Sequence, residues 1–285
     1  MALSNGMAGI LDTNFTANHL LANADATFIA RPDGNNSFMI SASPVEEQPL
    51  NNAKEKLLEA VQQLKAGDFP DWLPQASAEY INYQLLNMCD SNQSIGQQIA
   101  FILSTYDNWL QAVSSINSIR NISKDEISAF AEKYLTGNCI TIYVEQSNEM
   151  PELNGEEVEK PPITPLEYSA TEESPLFKEI TAMPTELIKP HLPDIAKDVS
   201  NYEIKIDNRT IPVRFVENKS DNRFELQLVF DTGTLSVPEL NLAQKYLDRV
   251  GSERDNYQTM QTALFRYTGN ITLAVNTTNV ILSIS

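Results

Sequence analysis

Residues 224–251 read FELQLVFDTGTLSVPELNLAQKYLDRVG, and this stretch decides the fold of the C-terminal part of the chain. Phe224, Leu226, Leu228 and Phe230 recur at every second position, which predicts a strand with one buried face. Apolar spacing from Leu240 to Val250 then predicts a helix, and Gly251 suits its C-terminal end. The stretch is therefore predicted to be a strand followed by a helix.

Further elements are predicted on both sides of this stretch. A hairpin precedes it, and a second helix, opening at Ser252, and a final hairpin across Asn276–Asn279 follow it. The apolar positions that support these elements are Ile204, Ile206, Ile211, Val213 and Phe215 before the stretch, and Met260, Leu264, Phe265, Ile271, Leu273, Val275, Val280, Leu282 and Ile284 after it. The predicted order from Tyr202 to the end is β-β-β-α-α-β-β.

The first 146 residues predict a hairpin, a row of helices and a strand. The hairpin strands are Thr27–Ala30 and Phe38–Ser43, around a turn at Pro32-Asp33-Gly34-Asn35. Four helices follow, supported by apolar residues at three- and four-residue spacing: Leu50, Ala53, Leu57, Val61 and Leu64; Trp72, Ala76, Tyr80, Tyr83 and Met88; Ile95, Ile99, Ile102 and Tyr106; Leu110, Val113 and Ile116. Gly67 is expected to end the first of them.

A fifth helix has the strongest start signal in the chain. Ser123-Lys124-Asp125-Glu126 fits a capping box, and Gly137 suits the left-handed position after the helix. Ile140, Ile142 and Val144 then alternate as a strand, which we expect to pair with the strands at Thr27–Ala30 and Phe38–Ser43.

Residues 147–199 have the composition of a linker. They contain eight of the chain's 15 prolines (Pro151, Pro161, Pro162, Pro165, Pro175, Pro184, Pro190 and Pro193) and an acidic cluster at Glu156–Glu159. Because proline stops helices and removes a backbone donor, at most one helical turn is expected, around Leu176–Ile180. Apolar residues spaced along the linker predict that it docks on a protein surface.

The composition of the chain argues against several classes of binding partner. The 285 residues carry a net charge of −18, which opposes binding to nucleic acid or to an anionic membrane. No apolar run is long enough to span a bilayer, and the first residues lack the n-region and h-region of a signal peptide. The predicted fold class is α+β, with antiparallel or mixed sheets backed by helices in two portions that a proline-rich linker joins.

The sequence contains no recognisable set of catalytic, metal or cofactor residues. Its only histidines, His19 and His191, lie far apart, and Asp12 precedes His19 at a spacing that fits no metal template. The run Gly6–Gly9 is interpreted as close packing, and Glu253 and Asp255 as acids favoured at a helix start. Cys89 and Cys139 are expected to be buried free thiols, and Trp72, Trp109, Tyr80, Tyr83 and Tyr106 to form an aromatic core.

The C-terminal part resembles the pitrilysin/insulinase family of zinc metallopeptidases. The matching stretches are Ile211–Asn218, Leu226–Gly233 and Gln244–Gly251, the last followed by Ser252. In the family's first domain this helix bears the inverted zinc motif His-x-x-Glu-His, with the glycine several residues later. The resemblance places the motif over Leu242-Ala243-Gln244-Lys245-Tyr246.

The residues at these positions cannot perform the motif's chemistry. In the family, two histidines four residues apart hold zinc, and the glutamate between them activates the bound water. Here Leu242 and Tyr246 replace the two ligands, and Lys245 replaces the base with a cation that repels zinc. The resemblance thus implies a copy like the family's degenerate third domain. No catalytic, metal or cofactor residue is assigned.

The first part is also similar to the family. The hairpin, the helix Leu50–Lys65, the step Lys65–Phe69 and the capping box at Ser123 resemble the later part of the second peptidase domain. The resemblance implies three regions: residues 1–146 as the C-terminal part of a second peptidase-like domain, 147–199 as the linker between enzyme halves, and 200–285 as the N-terminal part of a degenerate third domain.

The resemblance implies a non-catalytic central region that forms chamber wall and hinge in a longer zinc endopeptidase. Its partners would be the remaining domains of that parent, or an active family subunit, together with a peptide substrate. Zinc would belong to the parent, whose compartment stays open, including a periplasmic or secreted one. The alternatives are an inactive stand-alone partner or structural subunit of a family complex, and an unrelated peptide- or glycan-binding module.

Overall fold

The computed structural model describes residues 1–31, 34–105, 109–146, 173–185, 194–219, 221–247 and 249–285. A π-helical turn at Leu11–Thr16 comes first. The elements that follow it in chain order are β1 (Asn23–Ile29), β2 (Ser37–Ser43), α1 (Leu50–Ala66), α2 (Leu73–Met88), α3 (Asn92–Thr105), α4 (Trp109–Ile119), α5 (Lys124–Tyr134), α6 (Pro175–Ala182), α7 (Ile195–Asp198), β3 (Val199–Ile206), β4 (Arg209–Val216), β5 (Leu226–Phe230), α8 (Leu240–Leu247), α9 (Tyr257–Arg266), β6 (Ile271–Val275) and β7 (Val280–Ile284).

The fold class α+β is confirmed. The sheets of the described residues are antiparallel: a β1-β2 pair, a β3-β4 pair and a three-stranded sheet in the order β5-β7-β6. The predicted order β-β-β-α-α-β-β from β3 to β7 is also confirmed. The contacts divide the chain into two compact units, one formed by Met1–Tyr143 with Arg223–Ser285 and the other by Val144–Asn222.

The core of the first unit is built around the N-terminal loop. Its buried members come from that loop, from β1, α1, α2 and α5, and from one residue of α9: Leu3, Ala8, Ile10, Leu11, Phe15, Leu21, Ala24, Ala53, Ala60, Leu64, Phe69, Leu73, Ala76, Ala131 and Phe265. The helices supply these residues from single apolar stripes, as the periodicity of α1 predicts. Packing of these stripes against the loop therefore holds the helices together.

Phe265 joins the C-terminal part of the first unit to this core. Its side chain has no exposed surface, and its ring lies 5.3 Å from the ring of Tyr80 on α2, measured between centroids. Nearby, the side-chain amide of Gln258 on α9 donates to the backbone oxygen of Met7 at 2.7 Å. Helix α9 is thus packed against residues more than 180 positions earlier in the chain.

Arg223 makes a second link within the first unit. Its guanidinium donates to both carboxylate oxygens of Asp90 at 2.7 Å, and to the side-chain oxygen of Asn87 at 2.6 Å. A two-point arginine–carboxylate pair fixes direction as well as distance. This pair therefore fixes where the chain enters β5 relative to the C-terminal end of α2.

The second unit contains α6, α7 and the β3-β4 hairpin. In the hairpin, Tyr202 lies opposite Val213 and Ile204 lies opposite Ile211, so these four side chains share one face. Three of them, Tyr202, Ile204 and Ile211, are exposed. A two-stranded hairpin is at best marginally stable alone. Its apolar face is therefore a surface that further packing would stabilise.

Several helix predictions are confirmed, including their end signals. Helix α1 ends at Gly67, whose φ of 69° is the left-handed conformation that glycine adopts without strain. Helix α5 begins with the predicted capping box: the Ser123 hydroxyl accepts from the Glu126 N–H, and the Glu126 carboxylate accepts from the Ser123 N–H. The hairpin in the first part is confirmed by the pairing of β1 with β2.

The predicted strand at Ile140, Ile142 and Val144 is wrong. The structure has no strand there, and these side chains are 91%, 80% and 85% exposed. Alternation supplies an apolar face, but a strand also needs a partner, and β1 and β2 pair only with each other in the described sheets. A polar contact of this segment runs from the Tyr143 hydroxyl to the side-chain oxygen of Asn51, at 2.7 Å.

Several local predictions are also corrected. Helix α9 begins after Asn256, not at Ser252, because the Ser252 hydroxyl accepts from the N–H groups of Arg254 and Asp255 and closes a turn instead. Glu253 and Asp255 therefore precede the helix. Gly137 lacks the predicted left-handed conformation.

The strand and linker predictions need similar corrections. Strand β5 starts after Phe224 and is exposed on both faces, so it has no single buried face. Helix α6 has eight residues, which is more than the one turn predicted for this part of the linker. Of the predicted linker, residues 147–172 and 186–193 lie outside the described residues, as do Pro32 and Asp33 of the first turn.

We predict that Phe265→Ala destabilises the first unit by about 3–5 kcal/mol, because it removes a fully buried aromatic ring and leaves a cavity. Tyr267→Ala, at a largely exposed position, is the matched control and should change stability little. Hydrogen exchange measured by mass spectrometry should show faster exchange in α2 as well as α9 for Phe265→Ala. Loss of protection confined to α9 would contradict the shared core.

Candidate functional site

Helix α8 contains Leu242–Tyr246, the residues over which the sequence resemblance places the zinc motif. Its Gln244 side-chain amide donates to the backbone oxygen of Leu273 on β6 at 2.8 Å, so this side of the helix faces the sheet. Leu242 and Tyr246, one helical turn apart, are 74% and 70% exposed. Because residues i and i+4 share a helix face, these two side chains lie together on the face turned from Gln244.

Glycine fixes the loop that leads into this helix. A Cβ at Gly233 would lie 2.5 Å from the backbone oxygen of Thr277, closer than such atoms approach. The N–H groups of Thr234 and Leu235 donate to the backbone oxygens of Asn276 and Thr277 at 3.0 Å. The turn between β6 and β7 thus binds the β5–α8 loop, and only glycine fits at the point of contact.

The exposed face of α8 has no metal chemistry. Leucine offers no donor atom, tyrosine is a poor zinc ligand while protonated, and the nearby Lys245 adds a positive charge. Among the residues that the structure describes, no group of three or more His, Cys, Asp or Glu side chains is placed to hold a metal ion. This face can therefore make apolar and aromatic contacts.

A separate groove lies between the N-terminal loop, the end of α1 and the start of α2. It has a volume of about 480 Å³, and its lining includes Phe69, Pro70 and Trp72 together with the polar residues Asp68 and Lys124. The Lys124 ammonium lies 5.1 Å from the centre of the Phe69 ring and 2.7 Å from the Asp71 carboxylate. The groove therefore combines aromatic side chains with one acidic and one basic residue.

Two exposed carboxylates near this groove are held ionised by their neighbours. The hydrogen bond and charge of Lys124 lower the pKa of Asp71, and hydrogen bonds from Ser123 lower the pKa of Glu126. Both effects stabilise the folded chain electrostatically.

Asp12 is a buried residue whose structural role was not predicted from the sequence. One of its carboxylate oxygens accepts from the N–H groups of Asn5, Gly6 and Gly9 at 2.9–3.0 Å. A Cβ at Gly9 would lie 2.6 Å from the backbone oxygen of Leu3, so the interpretation of close packing is confirmed there. The spacing of Asn-Gly and a later glycine before Asp12 is the signal that could have revealed this loop.

The same cluster affects the Met1 amino group. Burial lowers its pKa, and the negative charges of Asp12 and Asp25 act in the opposite direction. The hydroxyl of Ser4 lies 3.4 Å from a carboxylate oxygen of each of these two aspartates. Asp12 thus organises the N-terminal loop around backbone donors, with no metal needed to explain its burial.

The remaining sequence candidates are dispersed. His19 is exposed, with a left-handed backbone, and His191 lies outside the described residues. Cys89 and Cys139 are exposed, so the prediction of buried thiols is wrong. Trp72 and Tyr80 pack against the core as predicted, but Trp109 is exposed because its helix contributes nothing to that core. Tyr106 lies outside the described residues.

Comparison of the chain with protein-family models, with curated proteins and with solved structures found no match. Of the helices that the structure describes, none combines the length and apolar character needed to cross a bilayer. A functional proposal for this chain therefore rests on its sequence and on the geometry of α8 and the exposed surfaces.

We predict that the double variant Asp71→Asn, Glu126→Gln loses stability near neutral pH but not in strong acid. A carboxylate whose pKa is lowered by folding stabilises the fold fully above its ordinary pKa, and that stabilisation disappears as the pH falls through the lowered value. Thermal unfolding midpoints at a pH of about 6 and of about 2 measure the change. The variant should fall below the wild-type chain at the higher pH and approach it at the lower.

The control for this experiment is Glu55→Gln, Glu132→Gln, which neutralises two exposed helical glutamates. A destabilisation of the first variant that is equal at both pH values would contradict the electrostatic explanation.

Proposed function

We propose that this chain is the non-catalytic central region of a pitrilysin-type zinc metalloendopeptidase. In the longer enzyme it would form chamber wall and hinge, while a sister domain would hold zinc and cleave an unfolded peptide. The observation that carries the proposal is helix α8. The resemblance assigns the family's two histidine positions to Leu242 and Tyr246 of this helix, and both residues are exposed.

The order of elements supports the family assignment. A hairpin, a strand ending near a glycine, two helices and a second hairpin follow one another between Val199 and Ile284. Gly233 is fixed by its contact with the turn between β6 and β7, which explains why a glycine follows this strand. The proposal is therefore supported by the order of the helices and strands, and by a glycine that a close backbone contact explains.

The exposed apolar surface supports a place in a larger assembly. Among the described residues, exposed large apolar side chains are more than twice as numerous as buried hydrophobic ones. Scattered exposed apolar residues are normal, but long stretches of them mark surfaces that another surface covers. Strand β5 and the β3-β4 hairpin are such stretches. This is the surface expected of a region cut from a closed chamber.

The alternative is an inactive stand-alone subunit that assembles with an active chain. Both proposals assume that α8 binds no zinc, and they differ in how the chain is expected to behave without a partner. A genuine subunit should be a monodisperse species without its partner, since its sheets would be complete. The exposed apolar strands favour the central-region proposal, because uncovered edges promote self-association.

The full reading frame around this segment tests the proposal. We expect the protein encoded by that frame to bind one zinc ion and to cleave an unfolded peptide in a chelator-sensitive reaction, and the 285-residue chain to do neither. Metal analysis and a quenched fluorescent peptide measure the two properties. A full frame with no His-x-x-Glu-His motif and no zinc, or zinc-dependent cleavage by the 285-residue chain alone, would contradict the proposal.

We further predict that Leu242→His, Tyr246→His creates a zinc site in this chain. Histidines at i and i+4 on one exposed helix face can bind a single divalent ion. Titration calorimetry with Zn²⁺ should show one-to-one binding in the micromolar range for this variant, and none for Leu242→His, Ala243→His, whose side chains point in different directions. Equal binding by both variants would show that positions 242 and 246 do not share a helix face.

A further inference from the structure

We draw no further inference here: the strongest candidate, the surface patch of exposed apolar side chains on helices α3 and α4 (Phe101, Leu103, Trp109 and Leu110), carries none, because nothing in the structure shows what covers it.

Discussion

The packing of Phe265 between helices α9 and α2 is the contact on which the first unit depends. A phenylalanine with no exposed surface contributes several kilocalories per mole when its contacts are intact, which is a large fraction of a domain's margin of stability. This contact brings together two parts of the chain that are separated by the second unit. Sheet β5-β7-β6 and helix α8 thus belong to the same unit as the N-terminal loop. The predicted boundaries at 146 and 199 describe changes in composition, and as peptidase-domain boundaries they stay a prediction.

Hydrogen bonds to carboxylates organise other parts of that unit. Asp12 gathers three N–H groups of the N-terminal loop, and Gly9 allows that loop to close against Leu3. The bond pair between Arg223 and Asp90 then fixes the entry to the C-terminal sheet. Asp12 is buried, and the hydrogen bonds to its carboxylate lower the cost of burying its charge.

Local signals in the sequence predicted local structure well. The capping box at Ser123 and the glycine after α1 act through bonds within a few residues, so the sequence alone determines them. The predicted helix start at Ser252 was wrong because other local hydrogen bonds form there. The Ser252 hydroxyl closes a turn, and Asn256 caps the helix instead.

Predictions that depended on distant partners did less well. The strand at residues 140–144 needed a sheet edge that its pattern could not reveal, and the exposure of Trp109 and of strand β5 depends on which surfaces reach them. In the candidate site, the position of α8 could be predicted. The orientation of α8 could not be predicted, because it depends on the hydrogen bond from Gln244 to the backbone of β6. That bond turns Gln244 to the sheet and leaves Leu242 and Tyr246 exposed.

Helix α8 carries leucine, lysine and tyrosine at the positions where the proposed family has zinc ligands and a base, and many large apolar side chains of the described residues are exposed. Both facts fit a structural region of a larger peptidase. The most direct test is native mass spectrometry of the 285-residue chain after incubation with a small excess of Zn²⁺. The account predicts no stoichiometric zinc, whereas one tightly held zinc ion per chain, lost when α8 is altered at Tyr246, would contradict it.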